Sequence, residues 1–144
     1  MKVRECMTPE VRVASPDNTL QTAAQIMADI DAGFLPIADR DRLIGIVTDR
    51  DIAIRGVAAG LPPETGIRKI MSEEVKYCFE EDDVDDVLEN MGDLQIRRLP
   101  VLDARKRLVG IVSLSDLASN GETTRAGEAL SDIARPSGLH SQQL

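Results

Sequence analysis

The sequence contains one seven-residue string twice, as GIVTDRD at 45–51 and as GIVSLSD at 110–116. In both copies Gly, Ile and Val lead into a Thr or a Ser, and an Asp follows three positions later. A β-branched run favours a strand, whereas a hydroxyl residue followed by an acid three positions on favours the start of a helix. Each string therefore predicts a strand that runs directly into a helix.

The likeness between the copies extends well beyond these strings. The segment from Met7 to Ala53 returns as Met71 to Ala118, and the Leu-Pro pair at 35–36 returns at 99–100. Such a repeat indicates duplication of one structural unit. Each copy also carries an apolar stripe at helical spacing, and we expect both stripes to lie in the core. The stripes are Leu20, Ala23, Ala24, Met27 and Ile30, and Val84, Val87, Leu88, Met91 and Leu94.

Helix starts and strands can be placed around these stripes. Asn18, with Gln21 three residues on, is predicted to cap the first helix, and the acids at 81–83 favour the start of the second. After each helix, two short runs separated by a polar turn predict a hairpin. The predicted strands span 34–38, 43–47, 99–102 and 108–112. A further helix is predicted to start near Thr48 in one copy and near Ser113 in the other.

The predicted architecture is a mixed α/β, or α+β, fold of two pseudo-symmetric β-α-β-β-α repeats packed face to face through their sheets. One copy alone is small for an independent fold, and two packed copies create a cleft suited to a ligand. Residues 60–66 are rich in Gly and Pro and cannot continue a helix. The predicted boundaries are 1–60 for the first repeat, 61–66 for the linker, 67–120 for the second repeat, and 121–144 for a short helix (Thr124 to Ala134) and a mobile tail.

The composition argues against several classes of function. The net charge of -8 disfavours binding to nucleic acid or anionic lipid, because both depend on cationic side chains. No apolar run is long enough to cross a bilayer, and the N-terminus lacks the apolar core of a signal peptide. We therefore expect a cytoplasmic protein without a membrane partner.

Catalysis and metal binding are also disfavoured by the sequence. The two cysteines, Cys6 and Cys78, and the single histidine, His140, show no metal-ligand spacing. No nucleophile is paired with a base. We therefore expect a protein that is not an enzyme, holds no metal and requires no cofactor.

With the preceding Leu-Pro and hairpin turn, the two strings resemble the signature of the cystathionine β-synthase (CBS) domain. Two in tandem resemble a Bateman module, similar to stand-alone bacterial CBS-pair proteins, and the resemblance covers about residues 1 to 120. It implies that the Asp of each string holds the ribose hydroxyls of AMP, ADP, ATP or an S-adenosyl compound, with the Thr or Ser beside the sugar-phosphate. These roles carry over to Thr48 and Asp51 in one half-site, and to Ser113 and Asp116 in the other.

Arg97 and Arg98 occupy the position where some nucleotide-binding members of this family place basic residues on the phosphate. The equivalents in the first copy are Gly33 and Phe34, so we expect unequal half-sites. Two arginines can chelate a phosphate, although an Arg pair at a strand edge is also typical of a solvated face.

The patterns Thr-x-x-Asp and Ser-x-x-Asp also fit a helix N-cap with an acid at the third position. The residues alone leave the ligand and cap interpretations open. We expect a regulatory adenosyl-ligand-binding module that acts through an unknown effector protein in trans or through a homodimer. The alternative is a ligand-free interaction or scaffold protein that retains the fold.

Overall fold

The computed structural model describes residues 1–120 and 123–135, and for residues 123–125 it describes the backbone only. Within these ranges, helices and short strands alternate, which confirms the mixed α/β class. The elements are α1 Leu20–Ile30, β1 Phe34–Asp39, β2 Arg42–Thr48, α2 Asp49–Asp51, β3 Cys78–Phe79, α3 Val84–Leu94, β4 Arg98–Leu102, β5 Leu108–Ser113, α4 Leu114–Asn120 and α5 Thr123–Ala134. The predicted tail, with His140, lies outside the described residues.

Both predicted strand pairs are present, and each leads into a helix as the repeated string indicates. β1 pairs antiparallel with β2, with Phe34 opposite Thr48. In the second copy, β3, β4 and β5 form a three-stranded sheet in that order, and β3 runs parallel to β4. α2 continues as a π-helical turn over Ile52–Val57. The predicted helix from Thr124 to Ala134 is confirmed as α5, which begins one residue earlier.

The leading strand of the first copy is reduced to a single bridge, between Ala14 and Ile37. In the second copy, the backbone N–H of Glu80 donates to the carbonyl oxygen of Leu102 at 2.9 Å and extends the ladder. The repeat register places Pro16 where Glu80 stands. Because proline has no N–H, this bond cannot form in the first copy and the strand ends.

The predicted apolar stripes are largely buried, with two corrections. In α1, Ala24 is exposed, since the buried face extends instead toward Ile26, which packs against the core at the opposite edge. In α3, Leu94 is exposed, because it is the last residue of the helix and the chain then turns through Gln95 in the left-handed conformation. The buried stripe residues are Leu20, Ala23 and Met27 in α1, and Val84, Val87, Leu88 and Met91 in α3.

The predicted cap of α1 is wrong by one residue. The side chain of Thr19 caps the helix by accepting from the backbone N–H of Thr22 at 3.1 Å. Asn18 instead closes the preceding turn, where its Oδ1 accepts from the N–H of Ser15 at 2.8 Å. The prediction for α3 is confirmed, because Asp83 is its N-cap and accepts from the backbone of Asp85.

The segment that follows the first repeat also supports the start of α1. The carbonyl oxygens of Pro63 and Thr65 accept from the N–H groups of Gln21 and Leu20. These donors lie in the first helical turn, where a helix leaves its N–H groups without partners of its own. The Gly-Pro-rich segment therefore serves as a backbone cap.

The described chain divides into two compact units that do not follow contiguous sequence. The first unit joins Glu10–Lys76 with Arg105–Leu108, and the second joins Met1–Pro9 and Tyr77–Ala104 with the chain from Val109 onward. The first residues of each predicted repeat, Met1–Pro9 and 67–76, form a leading segment that belongs to the unit holding the rest of the other repeat. The repeat boundaries inferred from the sequence stay a prediction.

Within each unit, this leading segment forms the same backbone pairing. Thr8 and Ile111 exchange two hydrogen bonds of 2.8 and 3.0 Å in the second unit. Ser72 and Ile46 exchange two of the same lengths in the first. Each unit is therefore completed by residues that are remote in sequence.

The glycines that open the repeated strings make these contacts possible. A Cβ added to Gly110 would lie 2.6 Å from Sδ of Met7 and 3.1 Å from the carbonyl oxygen of Thr8. A Cβ on Gly45 would lie 2.8 Å from Sδ of Met71. Since real Cβ atoms do not approach other atoms so closely, a larger residue would displace the leading segment.

Candidate functional site

The repeated Thr-x-x-Asp and Ser-x-x-Asp patterns both form reciprocal capping boxes. Oγ1 of Thr48 accepts from the N–H of Asp51 at 3.1 Å, while Oδ2 of Asp51 accepts from the N–H of Thr48 at 3.0 Å. Ser113 and Asp116 repeat the arrangement at 3.0 and 3.1 Å. The structure therefore realises the cap interpretation in both copies.

These caps do not exclude a ligand role for the same carboxylates. An ionised carboxylate offers about four acceptor positions on its two oxygens. The capping bond of Asp51 and that of Asp116 each involve Oδ2. Both residues are half-buried, so neither is sealed from solvent. Their role in holding ribose stays a prediction.

The second unit contains a cavity of about 450 Å³ beside the capping box of α4. Three of the predicted site residues, Arg97, Arg98 and Ser113, line it together. Asp116 does not line it, and Thr48 and Asp51 belong to the first unit. The other lining residues are Leu114, Ser115, Ala118, Ala126, Gly127 and Leu130.

The backbone explains why the arginine pair lies next to the repeated string. Arg98 is the first residue of β4, and Arg97 precedes it. The carbonyl oxygen of Arg97 accepts from the N–H of Leu114, the first residue of α4, at 2.8 Å. This bond ties the start of β4 to the start of α4. Both arginine side chains are exposed, so their charges are accessible to a ligand.

The equivalent place in the first unit has the opposite charge. The same backbone link joins the carbonyl oxygen of Gly33 to the N–H of Asp49 at 2.9 Å. The cavity there is smaller, about 270 Å³, and Asp31 and Asp49 line it with Gly33. A Cβ on Gly33 would overlap Oδ2 of Asp49, so the carboxylate takes up the space beside the glycine. Carboxylates repel a phosphate, whereas two guanidiniums attract it.

Six lining residues were not predicted as site residues from the sequence, and two of them, Leu114 and Ala118, lie on α4. Ala126, Gly127 and Leu130 lie on α5, whose sequence signals a helix and carries no motif. Ser115 lies inside the repeated string, but its equivalent in the first copy is Arg50, so the repeat gave no signal there. Only the packing of α5 brings Ala126, Gly127 and Leu130 to the arginine pair.

Both cysteines are buried, free thiols with a raised pKa. Burial raises the pKa of the Cys6 thiol, and the nearby charge of Glu5 adds to the effect. Burial raises the pKa of Cys78 to about 12, with a contribution from the charge of Asp82. A thiol with a raised pKa is a poor nucleophile at neutral pH.

The described residues form neither a metal-binding cluster nor a membrane-spanning helix. In the described part of the chain, no group of three or more His, Cys, Asp or Glu side chains is placed to hold a metal ion. Of the helices formed by residues 1–120 and 123–135, none has the length and apolar character needed to cross a membrane.

Two similar proteins match most of the chain. The CBS domain-containing protein YhcV of Bacillus subtilis is 39% identical over 133 residues, which are 92% of this chain and 94% of that protein. Hypoxic response protein 1 of Mycobacterium tuberculosis is 41% identical over 117 residues, which are 80% of this chain and 81% of that protein.

A solved structure gives the same result. The CBS domain pair of protein MJ0100, in complex with 5′-methylthioadenosine and S-adenosyl-L-methionine, superposes with a TM-score of 0.73 and 30% identity. The match covers 83% of this chain and 94% of that one. The sequence pattern of the CBS domain matches twice, at residues 3–56 and 67–122. The repeated strings, the capping boxes and these matches agree, and the chain belongs to the CBS domain family as a tandem pair.

Proposed function

We propose that this CBS pair is a regulatory module that binds a phosphorylated adenosine ligand at the cavity of the second unit. The observation that carries the proposal is the convergence of Arg97, Arg98 and Ser113 on one cavity. Its volume of about 450 Å³ lies within the range of small-molecule sites. The two guanidiniums would hold the phosphate, with the Ser113 hydroxyl beside them.

The adenosine part of the proposal is supported by family membership and by the chemistry of Asp116. The MJ0100 CBS pair binds two adenosine compounds, at 30% identity to this chain. Asp116 is hydrogen-bonded to Ser113, which lines the cavity. One carboxylate can accept from both the 2′ and 3′ hydroxyls of a ribose. AMP and ADP are the ligands that match this arrangement, with ATP and S-adenosyl compounds as further candidates.

A calorimetric titration of AMP tests the proposal. Wild-type protein should bind AMP, and the double variant Arg97→Ala/Arg98→Ala should bind it at least about tenfold more weakly, because each charge-assisted bond contributes roughly 1.5–3 kcal/mol. The matched control is Arg68→Ala/Lys69→Ala, which removes the same charge from an exposed basic pair in the first unit. Equal losses of AMP affinity in both double variants would show that only the overall charge of the protein matters and that the arginine pair is no phosphate site.

The second candidate function is a ligand-free interaction or scaffold protein. The observation in its favour is that both capping boxes are complete within the chain itself, so the repeated strings need no ligand to be satisfied. The absence of heat with AMP, ADP, ATP and S-adenosylmethionine at millimolar concentration would favour this candidate.

The regulatory output is part of the same proposal. We infer that the module catalyses no reaction itself and passes its signal to a protein effector in trans or through a homodimer. The exposed apolar residues Ile54 and Val57, on the π-helical turn after α2, support a protein contact in the first unit.

A further inference from the structure

The C-terminal helix α5 supplies one side of the second-unit cavity although it lies outside the repeated domain. The family match ends at residue 122, and α5 begins at Thr123. Ala126, Gly127 and Leu130 nevertheless line the cavity that holds the arginine pair. The helix thus adds to the candidate site a wall that neither repeat carries.

Helix α5 is held on α3 at close range. Ala129 is buried, and a Cβ added to Gly92 of α3 would lie 3.3 Å from its Cα. Nε2 of Gln95 donates to the carbonyl oxygen of Asp132 at 2.9 Å. Helices that meet at backbone distance cannot shift without losing contact along their length. The position of the wall is therefore set by α3.

Two residues of this wall leave room and apolar surface for a ligand. A Cβ built on Gly127 meets no heavy atom within 4 Å, so this residue faces open space. Leu130, one turn further on, is 48% exposed. The wall thus combines an open position with an exposed apolar side chain.

We propose that α5 makes the site selective for the group attached to a bound phosphate, with Leu130 contacting an adenine base and Gly127 leaving space for it. This inference rests on the proposed function and adds a selectivity to it. The arginines and serines form a polar side that any phosphate ester can use. The apolar wall is useful only to a ligand that also carries a flat, weakly polar ring. The site is therefore selective for a nucleoside monophosphate over a sugar phosphate.

The experiment compares AMP with ribose 5-phosphate, which lacks the base, by calorimetry on the full chain. Gly127→Phe fills the open position, and we expect it to weaken AMP binding by about tenfold or more. Leu130→Ser removes apolar contact, and we expect a loss of about three- to tenfold. Ribose 5-phosphate should bind both variants within about twofold of wild type, because it needs only the polar side.

Ser131→Phe is the matched control, since Ser131 is exposed on the same helix and does not line the cavity. Melting temperatures establish that each variant folds. If Gly127→Phe does not fold, the affinity of Leu130→Ser for AMP tests the inference. If the wild-type protein binds AMP and the folded Leu130 and Gly127 variants bind it with the same affinity, the inference is refuted and the proposed function stands. Equal weakening of both ligands also refutes it. A wild-type protein that does not bind AMP refutes the selectivity inference, and one that also binds none of ADP, ATP and S-adenosylmethionine refutes the proposed function as well.

Discussion

Replacing the two equivalent carboxylates separates the capping role of the repeated string from its ligand role. Asp51→Ala and Asp116→Ala each remove an acceptor for one backbone N–H, at 3.0 and 3.1 Å. Because the two boxes have the same geometry, both variants should lose similar stability. Each variant keeps the Thr48 or Ser113 hydroxyl cap and loses one hydrogen bond of the box, which costs about 0.5–1.5 kcal/mol. For a chain of this size, that corresponds to a fall in melting temperature of about 2–4 °C per kcal/mol.

Affinity should respond differently from stability. If Asp116 also accepts two ribose hydroxyls, its loss removes charge-assisted bonds of roughly 1.5–3 kcal/mol each, and one alone predicts about a tenfold weaker Kd for AMP. Asp51→Ala should change AMP binding little, because Asp31 and Asp49 line its neighbouring cavity and repel a phosphate. Calorimetry gives Kd and differential scanning gives the melting temperature for the same samples.

The variant Asp116→Asn is the internal control for this comparison. Its amide oxygen can still accept from the Ser113 N–H, so the cap is retained in part while the charge is removed. We expect it to recover stability relative to Asp116→Ala but not affinity. Equal stability losses with unchanged affinity in both alanine variants would refute the ribose role. The repeated string would then be only a helix cap.

Four further outcomes are expected. Gly110→Ala should lower the free energy of unfolding by about 1–3 kcal/mol through overpacking against Met7. Gly66→Ala, whose Cβ would meet no atom within 4 Å, should not lower it. Equal losses in denaturant titrations would contradict the argument that the chain approaches Gly110 closely. Between pH 9 and 12, the free energy of unfolding should fall by up to about 1.4 kcal/mol per pH unit, because the pKa of the Cys78 thiol is 9.0 in the unfolded chain and about 12 in the folded chain. Denaturant titrations at several pH values should show a flatter slope for Cys78→Ala. AMP, ADP or S-adenosylmethionine should bind more tightly than magnesium-free ATP at low salt, with a smaller difference at high salt, because the net charge of -8 opposes the triphosphate; tighter ATP binding would disprove this. Light scattering should report a homodimer of twice the 15.7 kDa chain mass, and Val57→Asp should shift it toward monomer; a monomeric wild type would exclude it.

Local patterns in the sequence predicted the repeat, the strand pairs and the helix starts at Thr48, Asp83 and Ser113 correctly. β-branched runs, helical spacing and hydroxyl-acid pairs act between residues that are neighbours in the chain, so their consequences can be read without knowing the fold. The boxes at Thr48 and Ser113 are examples. The cap of α1 was misplaced because Asn18 and Thr19 are both good capping residues, and only the preceding turn selects between them.

The remaining features depend on contacts between residues far apart in sequence. The exchange of hydrogen bonds between Thr8 and Ile111 places the N-terminal segment in the unit of the second repeat, although periodicity says nothing of long-range pairing. Exposure of Ala24 follows from which side of α1 meets the core. The resemblance to the CBS domain marked Arg97 and Arg98 as candidates for phosphate, and their positive charge, which is intrinsic to the residue type, agrees with that role. The cavity beside them depends on the packing of α5 on α3, because residues of α5 line it only once this helix has packed against a part of the chain remote in sequence.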